Sequence, residues 1–91
     1  MTWTEAEYAA YLADERRRYA WVMWRHGGLS PAAARAAALE WYAHEPADAP
    51  YRGLVFHDEA WHWAMLALHG ARYPEDHPEL AVPSAAYRAL E

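Results

Sequence analysis

The sequence predicts an all-α fold, a small helical bundle of three main helices plus a short C-terminal helix. Three observations carry this. Apolar residues recur every three or four positions, and no stretch alternates apolar with polar at the two-residue period of a strand. Helix start and stop signals punctuate the chain at regular places. Alanine, the strongest helix former, fills 22 of the 91 positions.

The first helix is expected over about residues 5–26. Thr4-Glu5-Ala6-Glu7 is a capping box, in which the Thr4 hydroxyl accepts from the amide of residue 7 and Glu7 reaches back to the amide of residue 4. Trp3 and Tyr8 occupy the staple positions on either side of it. Gly27-Gly28 supplies the left-handed conformation that ends a helix. The second helix is expected over residues 31–45, with Ser30 at its N-cap, Pro31 in the first turn and Pro46 beyond its end. "PADAPYRG", residues 46–53, reads as a loop. A third helix follows over about 54–70 and ends at Gly70. "YPEDHPELAVP", residues 73–83, reads as an extended connection, after which Ser84 caps a short helix over 85–90. So short a chain builds one core, so residues 1–91 form a single domain.

Composition excludes several functions. There is no cysteine, hence no disulfide, iron–sulfur cluster or cysteine zinc site. The formal charge is −5, and the only basic run, Arg16-Arg17-Arg18, sits on consecutive helical positions whose side chains diverge, so nucleic acid is not an expected partner. No run of about 18 apolar residues is present to span a bilayer. The polar, acidic N-terminus does not read as a signal peptide, so a cytoplasmic location is expected. Abundant Arg and Ala without Lys or Ile matches the amino-acid usage of GC-rich bacterial genomes.

The densest chemistry lies in "FHDEAWHWAMLALHG", residues 56–70. Asp58, His62 and His69 fall at i, i+4 and i+11 on one helical face, beside a core seam of Trp61, Met65 and Leu68. On the first helix Tyr8, Tyr11, Leu12, Tyr19, Val22 and Met23 form an apolar stripe that contains Glu15. If Glu15 meets Asp58 and His62 inside the bundle, the three are candidate ligands for a divalent metal or members of an acid–base site. The competing expectation is structural. Asp58 then caps the third helix, His69 sits in its last turn, and Tyr11 and Tyr19 donate hydrogen bonds to a buried Glu15. The spacing is not that of the zinc-binding helix, because His57 and His62 are five apart and diverge by about 140°. No cofactor is required on this view.

The first helix is also apolar on a second side, where Trp21 and Trp24 lie with Ala6, Ala13 and Ala20. Neither a phosphate-binding loop nor a spare nucleophilic serine is present, since Ser30 and Ser84 are both helix caps. The leading expectation is therefore a non-enzymatic protein-interaction module, a self-associating homodimer that uses an aromatic face to hold another protein, with Trp21, Trp24 and Tyr19 at its surface. A small metal-dependent or acid–base enzyme using Glu15, Asp58 and His62 is the alternative.

Overall fold

The computed structural model describes residues 3–90. Helix α1, Glu5–Arg25, is the spine; α2, Pro31–Trp41, and α3, Ala60–His69, pack against it. Two one-turn helices, α4 at Tyr73–Asp76 and α5 at Ala85–Arg88, and two 3₁₀ turns, Leu54–His57 and Pro78–Leu80, complete an all-α chain.

Local chemistry sets the start of α1. The Thr4 hydroxyl accepts from the Glu7 amide and Glu7 accepts from the Thr4 amide, each at 3.1 Å. Trp3 turns its ring toward Tyr11 and Phe56, with centroids 5.4 and 5.6 Å away. The Ser30 and Ser84 hydroxyls cap α2 and α5 in the same local way.

The core stripe of α1 buries Tyr8, Leu12, Tyr19, Val22 and Met23. Helix α2 meets it through Ala34 and Ala38, and α3 through Ala60, Ala64, Trp61 and Met65. Alanines at both interfaces let the helix axes approach closely, while the large aromatics fill the space around them. Tyr73 and Tyr87, from the one-turn helices, close the far side.

Three stretches differ most from the sequence expectation, and the short C-terminal helix also ends at Arg88 rather than at residue 90. Helix α2 stops at Trp41 rather than continuing to residue 45. Arg16 of α1 donates from Nε and from a terminal nitrogen to the Tyr42 carbonyl, at 2.9 and 2.6 Å, and so satisfies the helix end early. The next backbone groups are also taken: the Glu45 amide donates to the Tyr8 hydroxyl, and the Glu45 carbonyl accepts from Arg52.

The expected third helix, 54–70, is divided into a 3₁₀ turn and α3, with Asp58 and Glu59 extended between them. Asp58 is therefore not the cap; Glu59 is at the N-cap position and makes no side-chain capping bond. The segment 73–83 is not extended throughout, since α4 and the second 3₁₀ turn lie within it, each with a proline in its first turn.

Two backbone positions in the loop before α3 have left-handed dihedrals. Gly53, at φ 83°, leaves no room for a side chain, because a Cβ there would sit 2.5 Å from the Trp3 indole nitrogen. Tyr51 adopts φ 59° with its ring in solvent.

Candidate functional site

Glu15 lies on the core stripe of α1, only 9% exposed, facing the start of α3. Its Oε2 accepts from the Ala60 amide at 3.1 Å. The next amide, Trp61, donates to the Tyr87 hydroxyl at 3.3 Å. Two of the four orphan amides at the N-terminus of α3 are thus satisfied by groups from distant parts of the chain, a glutamate and a tyrosine, rather than by a local cap. Burial pushes the Glu15 carboxyl above its ordinary range, while the Ala60 amide works the other way.

The expected tyrosine partners of Glu15 are placed elsewhere. Tyr11 is partly exposed against Phe56, and Tyr19 is buried edge-on to Tyr42. Tyr19 is therefore core rather than interaction surface.

Asp58 and His62 do share a hollow of about 320 Å³, together with Tyr73. His62 Nδ1 is 2.9 Å from the Tyr73 hydroxyl, and burial followed by the charge of Asp58 raises the Tyr73 hydroxyl above its ordinary range. Glu15 is not part of this lining. His69 turns toward His77, with ring centroids 4.4 Å apart, so Asp58, His62 and His69 do not act on one space. Among the described residues, no group of three or more His, Asp or Glu side chains is arranged to hold a metal ion.

A second feature is larger and apolar. A groove of about 630 Å³ runs between α1 and α2. Its α1 wall is Ala13, Arg16, Arg17, Ala20, Trp21 and Trp24; its α2 wall is Pro31, Ala34, Arg35, Ala38 and Leu39, and Leu90 also lines it. Trp24 is 47% exposed and Leu39 is 50% exposed, whereas Trp21 is partly covered, near Tyr87. The arginines at the rim are held in different ways. Arg16 is anchored on the Tyr42 carbonyl, and Arg17 shares Asp14 with Arg18. Burial works against a charge on Asp14, but those two guanidinium groups hold its carboxyl below the ordinary range. The sequence had Arg16, Arg17 and Arg18 diverging; the shared Asp14 brings two of them together.

The α2 wall escaped the sequence reading. Its signal was available: Pro31, Ala34, Arg35, Ala38 and Leu39 repeat at i, i+3, i+4, i+7 and i+8. Because α2 ends at Trp41, Glu40 and His44 do not face each other one turn apart on a helix, and His44 stands edge-on to the Tyr8 ring.

No protein-family model, curated protein or solved structure matches the chain.

Proposed function

We propose that this chain is a non-enzymatic helical interaction module that holds another protein chain, a second copy of itself included, in the groove between α1 and α2. The observation that carries this is the division of α1 into two stripes. One stripe, through Leu12 and Val22, is fully covered by the fold. The other runs through Ala13, Ala20 and Trp24 and leaves apolar surface open to solvent.

A groove walled by two helices suits an extended ligand such as a helix, whereas small molecules are held in concave sites that bury most of their surface. The polar constellation supports catalysis less well, because Glu15 is engaged in capping α3 and does not line the hollow beside Asp58 and His62.

Photo-crosslinking in living cells tests the reading. A benzophenone amino acid replacing Trp24 is expected to form discrete protein adducts. The same group replacing Ala67, exposed on α3, is expected to form none. Equal adducts from both positions, or none from position 24, would contradict the docking surface.

A further inference from the structure

We infer that the occupant of the α1–α2 groove is an amphipathic helix of a different protein, apolar along its inner stripe and acidic along both flanks. This rests on the docking reading above and specifies the partner class.

Shape points to a helix. Both walls repeat at three- and four-residue intervals, so together they present the two sides of a seam that a third helix completes, with ridges entering grooves. Ala13 and Ala20 supply the small side chains that close axial approach requires, above a floor where Ala34 and Ala38 are buried against α1. From Ala13 to Trp24 the α1 wall is roughly 16 Å long at 1.5 Å per residue, enough for about three helical turns of a partner.

Charge selects the chemistry. The chain as a whole carries −5, yet the groove lining contains Arg16, Arg17 and Arg35 and no acidic residue. Arg35 has no acidic partner among the described residues. Arg16 is held in place by two hydrogen bonds to the Tyr42 carbonyl, so its charge is already oriented before a ligand arrives. Basic groups on both walls flanking an apolar floor match a helix with leucine-like residues inward and carboxylates on each side.

The same charges disfavour a second copy. A two-fold dimer sets a surface patch against itself. Arg16 and Arg35, neither of them paired with a carboxylate, would then be brought toward their own copies across the seam, and like charges brought together at an interface are penalised; Arg17 adds less, since Asp14 already pairs with it.

The test uses the intact chain and two stapled 15-residue helical peptides. Both carry leucines at three- and four-residue spacing; one has glutamates on its flanks and the other has lysines at the same places. Binding is followed by fluorescence anisotropy, and its position by the indole NH resonances of Trp21 and Trp24.

The acidic peptide is expected to bind and shift both indoles, and to weaken as salt rises. Its affinity is expected to fall about tenfold or more in the double variant Arg17→Glu, Arg35→Glu, whose fold is checked by circular dichroism. A second variant, Trp24→Ser with Leu39→Ser, is expected to lose binding without charge reversal. Equal binding of both peptides, or no binding of either, would overturn the acidic-helix assignment. Position-24 crosslinks to foreign proteins alongside such a result would leave the docking reading standing and remove only the partner class. A dimer in sedimentation that dissociates in the Trp24→Ser, Leu39→Ser variant would also overturn it, by making a second copy the occupant.

Discussion

The Glu15 carboxylate and the Ala60 amide, 45 residues apart in the chain, are joined by a 3.1 Å hydrogen bond that fixes where α3 begins on the side of α1. A buried carboxylate at a helix N-terminus satisfies an orphan amide and opposes the positive end of the helix dipole. It also keeps a charge in a poorly solvated place, and burial wins, since the carboxyl is raised.

A pH dependence follows from that raised carboxyl. The native state holds the Glu15 proton more tightly than the unfolded chain does. Stability from this group is therefore complete below its unfolded value of 4.5 and declines as pH rises through the higher folded value. Glu5, Glu7 and Asp14, all lowered, act in the opposite sense, so the difference between wild type and Glu15→Gln isolates the effect. Chemical denaturation across pH 4–7 is expected to show Glu15→Gln gaining on wild type as pH rises, because the amide oxygen still accepts from Ala60. Glu15→Ala leaves that amide unpaired and is expected to cost about 1–3 kcal/mol. A flat difference between wild type and Glu15→Gln would contradict the assignment.

Tyr42→Phe is expected to stabilise the protein. Tyr42 is 1% exposed, and among the described residues its hydroxyl is the one buried side-chain polar atom without a hydrogen-bond partner. Burial, with nearby Glu15 second, pushes that hydroxyl far above its ordinary range. Removing an unpaired buried hydroxyl while keeping the ring is worth on the order of 1 kcal/mol. Thermal melts of the pair check this; a fall in Tm would mean that the hydroxyl has a partner, such as a buried water.

Arg52 ties the loop before α3 to α1. Its guanidinium lies 3.8 Å from the Tyr8 ring centroid, pairs with both Glu5 oxygens at 2.7 and 3.1 Å, and donates to the Glu45 carbonyl. Arg52→Lys is expected to lower Tm nearly as far as Arg52→Met, because lysine keeps the charge but has neither the planar fork nor the stacking surface. A lysine variant that melts like wild type would show that charge alone suffices.

Legibility in the sequence followed the range of the interactions. The start of α1 was readable because Thr4 and Glu7 are three residues apart and cap one another. The Ser30 and Ser84 caps were readable for the same reason. The end of α2 and the start of α3 were not, because Arg16 and Glu15, both on α1, reach across the fold to set them. A helical wheel placed Trp21, Trp24, Ala6, Ala13 and Ala20 on one side of α1, and all of these but Ala6 line the groove. It could not say that Tyr19 is covered by Tyr42, since that depends on which neighbour packs where. Glu15 was identifiable as a carboxylate needing partners, but their identity was not, because a backbone amide leaves no mark in sequence.

The division of α1 into a covered stripe and an open one is tested most directly by one paired measurement on the free chain: denaturation of Trp24→Ser beside Met65→Ala, with acidic-peptide binding recorded on the same samples. Met65 is fully buried, so its truncation is expected to cost about 2–5 kcal/mol. Trp24→Ser is expected to stay within about 1 kcal/mol of wild type, as surface substitutions do, and yet to lose peptide binding. Loss of stability in Trp24→Ser comparable to that of Met65→Ala, or binding undiminished in it, would show that Trp24 serves the fold and not a partner.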